Sequence, residues 1–353
     1  MNFAKTLIRW YLIHKRDLPW RNTKNPYKIW LSEILLQQTR VNQAIEYYHR
    51  FEKQFPEIED LAGASIDDVL KLWQGLGYYT RAHNLHKTAR IVTQQYHSRF
   101  PDSFEELIKL PGIGHYTAGA ICSIAFNKAV AAIDGNISRV ISRLQGIYHP
   151  TGSTSSLKEI KTVIYELISH QEPGIFNQAL MEIGAMVCLP QKPLCNQCPI
   201  NKFCFAFKHQ CMEELPVKVK KNKTTKRFFN YFFLISNGRL YLNKREEKDI
   251  WNGLYEPWLV ESKHQLSEKS FFSAFPSGVL SNVRFLTETF ARRKHILTHQ
   301  VIYAQFIVAE GKIANNDIET KFIPYNAISR YPVPKLTEWY LEKYFEYLLK
   351  SNE

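Results

Sequence analysis

The chain of 353 residues carries 46 Lys and Arg against 33 Asp and Glu, a formal net charge of +13 with a pI near 9.3. That length suits about two domains, each able to bury its own core, and the positive balance favours a polyanion such as nucleic acid, or else an anionic membrane surface. No apolar run reaches transmembrane length, and MNFAKTLIRWYLIHKRDLPW alternates apolar and basic residues without a small-residue cleavage site, so it reads as a folded amphipathic helix of a cytoplasmic, non-membrane protein.

Residues 1 to about 205 read as almost entirely helical, with segments near 2–14, 28–37, 41–54, 66–74, 80–95, 103–109, 116–126, 135–145, 155–170 and 174–186. The breaks fall at Pro, Gly and Asn-rich points, as helix stop signals do. Within this series LPGIGHYTAGAICSIAFNKAVAAIDGNISR, from Leu110 to Arg139, has the densest chemistry. Leu-Pro-Gly-Ile-Gly does not continue a helix, and an Ala- and Ile-rich run at helical spacing follows at once, which predicts a tight turn between two helices. Gly112 and Gly114 are able to take positive φ and to admit another backbone, so the next helix opens with outward N–H groups suited to a phosphate. Asp134 lies between the apolar AVAAI and Gly-Asn, where a carboxylate ends a buried segment. These residues alone fit an ordinary helix hairpin with a capping Asp equally well.

Cys188, Cys195, Cys198 and Cys204 follow the spacing C-x6-C-x2-C-x5-C, interrupted by Pro190, Pro193 and Pro199. Four thiolates so close, without a His among them, suit either Zn2+ or a [4Fe-4S] cluster in a reducing compartment. Cys122 reads as a buried helix-face residue and Cys211 as a bystander beyond the loop.

From about 206 to 227 the chain turns polar and then strongly basic, with Lys218, Lys220, Lys221, Lys223, Lys226 and Arg227 in ten residues. The run reads as a solvated tether that is also able to touch DNA. Beyond it the period changes to two. FFNYFFLIS, Asn237-Gly238 and RLYLNKR predict a β-hairpin, and VIYAQFIVA (301–309) predicts a further strand. Segments 265–275 and 335–350 look helical. The fold class is therefore multidomain, α followed by α+β, with residues 1–205, a basic linker 206–227, and residues 228–353 as its parts.

The hairpin LPGIGHYTAGA, the acid of AIDGN and the cysteine spacing, in that order, resemble the helix-hairpin-helix DNA glycosylases of the endonuclease III superfamily. LPWRNTKNPYKIWLSEILLQQTRV, GLGYYTRAHNLH and FNQALMEIGAMVC are similar to segments of its adenine DNA glycosylases, the MutY type, which carry a Nudix-like C-terminal domain. The resemblance implies an all-helical glycosylase domain whose loop 188–204 holds a [4Fe-4S] cluster, then a Nudix-like 8-oxoguanine recognition domain. It implies a monomeric enzyme acting on double-stranded DNA with adenine opposite 8-oxoguanine or guanine.

Such an enzyme flips the nucleotide out of the stack and needs one carboxylic acid to protonate the leaving base and one carboxylate to face the cationic sugar. The resemblance assigns the acid to Glu33, among apolar neighbours that raise its pKa, and the carboxylate to Asp134 with Asn136 orienting it. Tyr116 stands where strand-cutting members have a lysine, and a phenol forms no imine, so base removal without strand cleavage is expected. Arg16, Leu18, Trp20, Arg21, Leu36 and Gln178 match positions around the flipped adenine. Gln37 and Tyr78, with Tyr79 as the alternative to Tyr78, match residues acting on the opposite strand.

In the C-terminal part, HILTHQ aligns with the recognition loop. There Thr298 offers a hydroxyl to the N7–H of 8-oxoguanine, and His299 holds the loop or touches a phosphate. The family commonly has an aromatic residue before that hydroxyl, and this chain has Leu297. WNGLYEPWLVE resembles the start of a Nudix domain, yet no acidic Nudix helix follows to hold Mg2+, so this part is expected to bind and not to catalyse. Other helix-hairpin-helix glycosylases, a non-catalytic iron-sulfur DNA-binding protein and a Nudix hydrolase are the competing readings. Tyr116 weighs against a bifunctional glycosylase for oxidised pyrimidines, the C-terminal domain against both that enzyme and a thymine mismatch glycosylase, the paired acids against a non-catalytic protein, and the missing acidic helix against a Nudix hydrolase.

Overall fold

The structure, a computed structural model, describes residues 2–218, 224–246 and 249–351. The chain divides into two compact units, 1–63 with 84–220 and 64–83 with 221–353.

The first unit is helical. Helix α1 (Phe3–His14) starts where Asn2 Oδ1 accepts from Lys5 N, and it buries Phe3, Leu7, Ile8 and Tyr11 as a single stripe. Helix α2 (Pro26–Leu36) opens with Asn25 capping the amides of Tyr27 and Lys28 and Pro26 in the first turn, two residues earlier than the apolar period suggests. Every residue of α2 from Ile29 to Leu35 is buried, so Glu33 lies in an interior helix. Then follow α3 (Val41–Gln54) and the short α4 (Ile58–Gly63), which the sequence pattern did not foretell.

Helix α5 (Ile66–Trp73) lies in the segment 64–83 of the second unit, and α6 (Thr80–Gln95), which starts in that segment, precedes the one-turn α7 (Phe104–Leu107) and α8 (His115–Ile124). Helix α9 (Gly135–Gln145) begins at Asp134 and ends at Gly146, whose φ of 72° only glycine adopts easily. A side chain there would meet the Phe205 ring, so this glycine also admits the segment after the last cysteine. Helices α10 (Thr154–Leu167) and α11 (Pro173–Met186) complete the bundle, and α12 (Phe205–Lys208) follows the cysteine loop. Leu7, Tyr11, Ile137, Ile141, Phe176 and Leu180 form the main core, with Cys188, Cys198 and Cys204 packed against it.

The tether expected from 206 onward needs correction at both ends. Up to Val217 the chain is packed: Ala206, Cys211 and Leu215 form a small apolar cluster, and Val217 O accepts from Thr151 N. Lys226 and Arg227 belong to strand β1 (Thr225–Ser236). Lys220, Lys221 and Lys223 lie outside the described residues.

In the second unit β1 pairs in parallel with β7 (Gln300–Ile313) and antiparallel with β2 (Arg239–Tyr241) and β5 (Trp258–Ser262). The Asn237-Gly238 turn has φ of 48° and 69°, the twist a two-residue hairpin requires. Strands β3 (Asn243–Lys244) and β4 (Tyr255–Glu256) form a small separate ladder. Strand β6 (Leu280–Ile296) pairs with β7, and β8 (Phe322–Pro324) pairs with β2. Helices α13 (Glu268–Ser273) and α14 (Lys335–Ser351) complete this α+β unit.

Segment 64–83 belongs to the same unit. Asp67 accepts from Lys244 Nζ at 2.5 Å and Tyr255 Oη at 2.9 Å, and Gln74 Nε2 donates to Glu338 Oε1 at 2.6 Å. Among the described residues no helix is long and apolar enough to cross a membrane.

Candidate active site

Helix α2 carries Glu33 inward against α8, where the Tyr116 hydroxyl donates to Glu33 Oε2 at 2.5 Å. Burial lifts the Glu33 carboxyl to about 7. The Tyr116 bond opposes this, the nearby Asp134 charge adds to it, and the Arg21 charge opposes it. Burial likewise drives Tyr116 well above the ordinary phenol range, so it stays a neutral donor.

Asp134 is the N-cap of α9. Its Oδ1 accepts from Ile137 N at 2.7 Å and its Oδ2 from Asn136 Nδ2 at 2.8 Å. Burial raises this carboxyl, while the Ile137 amide and Asn136 favour its ionised form and hold the rise back. Asn136 Oδ1 in turn accepts from Arg139 Nη2 at 2.9 Å, and Arg139 Nε donates to Cys188 O at 2.8 Å.

The backbone leading into Asp134 is fixed from two sides. Asn177 Nδ2 donates to Val130 O at 2.8 Å, and Gly119 in α8 leaves no room for a side chain, since a Cβ would come within 2.3 Å of Ala131 O.

A cavity of about 580 Å3 opens over these groups. Its lining includes Glu33, Tyr116, Asp134 and Asn136 together with Arg16, Leu18, Trp20, Arg21, Leu36, Gln37 and Gln178, the positions that resemblance assigned to this region of the site. Gln178 Oε1 accepts from Tyr11 Oη at 2.8 Å, and Gln37 Nε2 reaches Thr117 Oγ1 at 3.5 Å.

Sequence reasoning missed Glu182. This fully buried carboxylate accepts from Arg16 Nε and Nη2 at 3.0 and 2.7 Å, and from Arg21 Nη1 and Nη2 at 2.8 and 2.5 Å. Burial alone would raise its pKa, but the two guanidiniums hold it at about 2. Two arginines brought into one apolar pocket demand such a partner, and that was the available signal.

Gly112 has φ of 77°, and a Cβ on it would press on Asn84. Gly114 differs from the expectation: its φ is −88° and the space beside it is open. Its value lies in being an N-cap without a side chain, leaving the first turn of α8 uncovered on that side.

The sequence comparisons bear on the same residues. Residues 31–162 match the family model of the HhH-GPD superfamily of base excision DNA repair proteins, and residues 230–343 match that of the NUDIX domain. The adenine DNA glycosylase of Buchnera aphidicola subsp. Baizongia pistaciae is 37% identical over 335 residues, covering 92% of this chain and 91% of that one. The chain belongs to the adenine DNA glycosylase family. It is thus a base excision repair glycosylase, hydrolysing N-glycosyl bonds in DNA.

The adenine DNA glycosylase of Mus musculus is 43% identical over 214 residues, 58% of this chain and 42% of that one. Among solved structures, a thermostable thymine-DNA glycosylase matches with a TM-score of 0.53 and 30% identity, over 59% of this chain and 95% of that chain. A non-covalent endonuclease III–DNA complex matches at 0.50 and 22%, over 59% and 94%, which shows the shared helical fold.

The cysteine loop follows α11 directly. Arg143 Nη1 donates to Cys188 Sγ at 3.3 Å and to Leu189 O at 2.7 Å, and Cys198 lies within electrostatic range of Cys188, Cys204 and Cys195. Among the described residues no three His, Cys, Asp or Glu side chains already converge as ligands of one metal ion. The donor set itself, four thiols on one loop beside a guanidinium, fits a tetrathiolate centre, whether zinc or an iron-sulfur cluster.

The remaining expected residues belong to the second unit. Thr298 and His299 are exposed at the tip of the β6–β7 hairpin, where Leu297 N donates to Gln300 O at 2.8 Å. Tyr78, with φ of 49° and 42% exposed, hydrogen-bonds through its hydroxyl to Thr298 Oγ1. These residues line a second cavity of about 590 Å3, whose other walls include Ile250, Trp251 and Asn252.

Proposed function

We propose that the substrate is adenine mispaired with 8-oxoguanine or guanine in double-stranded DNA, removed by a monofunctional mechanism. The observation that carries the reading is the pair of unlike carboxyls in one cavity. Glu33 is raised to about 7 against a neutral phenol, and Asp134 is held by the Ile137 amide and Asn136 Nδ2.

With adenine flipped into the cavity, protonated Glu33 gives its proton to N7 as the C1′–N9 bond breaks. Asp134 faces C1′ and stabilises the positive charge developing there. Water adds its hydroxyl to C1′ and gives its remaining proton to the Glu33 carboxylate, leaving free adenine and an abasic site. Tyr116 holds the Glu33 carboxyl and has no amine with which to form an imine, so the strand stays intact.

Leu18, Trp20 and Leu36 enclose the base, while Gln178, Arg16 and Arg21 address its polar edge. Gly112 and the α8 amides after Gly114 grip a backbone phosphate. Gln37 and Tyr78 fill the space the adenine leaves, Thr298 accepts the N7–H of 8-oxoguanine, and His299 supports that loop.

Cys188, Cys195, Cys198 and Cys204 would hold a [4Fe-4S] cluster, which cross-links its loop and is capable of one-electron redox change. Cys198→Ser should then yield colourless or iron-poor protein, whereas zinc-loaded wild type would contradict this assignment.

Single-turnover assays on duplexes with adenine opposite 8-oxoguanine, guanine or thymine test the main reading. Free adenine is expected from the first two and near-background release from the third. Equal release opposite all three would overturn it.

A further inference from the structure

We propose that Arg227 is a positioning residue for recognition of the base opposite adenine, acting through the two turns that flank Thr298. The inference rests on the reading of Thr298 as the opposite-base contact and adds the element that holds that contact in place.

One guanidinium binds three partners. Arg227 Nε and Nη2 donate to Glu261 at 2.7 and 2.6 Å, and Nη1 and Nη2 donate to Asp249 at 2.8 and 2.7 Å. Nη1 also reaches Gln300 Oε1 at 3.3 Å, two residues from Thr298. Strand β1 does not need these bonds to stay in the sheet, because ladders to β5 and β7 already hold it.

What the bonds add is a fixed relation between strand and turns. Asp249 begins the turn whose Ile250, Trp251 and Asn252 face Thr298 and His299 across the cavity. That turn needs holding: Trp251 has φ of 61°, a strained value for a bulky residue, and its ring lies against Phe229 and His295.

Arg245 Nη2 gives Asp249 a second cationic contact at 2.8 Å. On the hairpin side, Thr225 N and Oγ1 both donate to His299 O, at 3.0 and 3.2 Å, so β1 fixes the tip from its own end. The planar fork of Arg227 is what allows one side chain to span two carboxylates and an amide. A lysine ammonium keeps the charge but not the geometry.

The test compares Arg227→Lys, Thr298→Ala and the double variant in the full-length protein. Binding is measured to duplexes with 2′-fluoro-2′-deoxyadenosine opposite 8-oxoguanine or guanine, and the ratio of the two affinities is the readout. Arg227→Lys should weaken 8-oxoguanine binding about tenfold and guanine binding less than about threefold, with the melting temperature nearly unchanged. The double variant should be no worse than Thr298→Ala, because both substitutions act on one contact. Asp249→Asn should reproduce the Arg227→Lys pattern.

An unchanged ratio in Arg227→Lys, an equal loss on both duplexes, or additivity in the double variant would overturn the proposal. An unchanged ratio in Thr298→Ala would instead show that the opposite-base reading itself has failed, and the Arg227 role would fall with it.

Discussion

The Tyr116 hydroxyl donates to Glu33 Oε2 at 2.5 Å, inside a cavity where the carboxyl is raised to about 7. One phenol therefore positions the acid and restrains its rise, since a hydrogen bond to the ionised form favours ionisation. In Tyr116→Phe the alkaline limb of the pH–rate profile should move upward by about one unit, as expected for losing one charge-assisted bond. A limb that moves downward would contradict the proposed balance of burial against hydrogen bonding.

Glu33 should also cost stability. Its folded value of about 7 lies above its ordinary 4.5, so the folded chain holds the proton over a window in which the unfolded chain has released it. The protonated carboxyl is tolerated fully below about 4.5, and stability falls as pH rises through 7, by about 3 kcal/mol in all. Glu33→Gln should accordingly stabilise the protein at pH 8 far more than at pH 4.5, as read from urea midpoints at both pH values.

Glu182 neutralises Arg16 and Arg21 in the same pocket, and the Arg21 charge pulls the Glu33 value down. Glu182→Gln leaves two cations beside the acid. The alkaline limb should shift to lower pH, and stability should fall by about 3–5 kcal/mol, the usual result of breaking a buried ion pair from one side. Thermal melts and a pH–rate series distinguish this from a purely structural loss, which would leave the limb where it was.

Gly119→Ala tests the approach of α8 to the segment that delivers Asp134. Because the added Cβ would lie 2.3 Å from Ala131 O, the backbone must move, at a cost of about 1–3 kcal/mol. A fall in kcat exceeding any rise in KM is expected, since Asp134 would be displaced from the sugar. Unchanged kcat would show that this packing does not position the carboxylate.

Much of this fold was legible in the sequence because local signals agreed with the global structure. The helices break at Pro, Gly and Asn-rich points, Asp134 caps α9 as a carboxylate ending a buried segment does, and Asn237-Gly238 makes the turn its residues favour. Strand β6 was hidden because register shifts between Ser281 and Arg284 and between Leu286 and Ala291 break its period of two. Arg227 looked like one more cation in a basic run, since nothing local to it announces Asp249 and Glu261.

The cavity residues around Glu33 were accessible only through family resemblance, as they come from five separate stretches of chain. Glu182 was lost for a related reason: a buried carboxylate on α11 reads as an ordinary helical glutamate until its arginines, more than 160 positions away, are brought beside it.

The most direct measurement is free adenine released from a duplex with adenine opposite 8-oxoguanine, with strand integrity followed before and after alkali. The wild-type protein should release adenine and leave a strand that breaks only on alkali treatment, and Glu33→Gln should lower the rate by about 100-fold or more. Adenine release that survives Glu33→Gln, or a borohydride-trapped lysine adduct as the main product, would contradict the account.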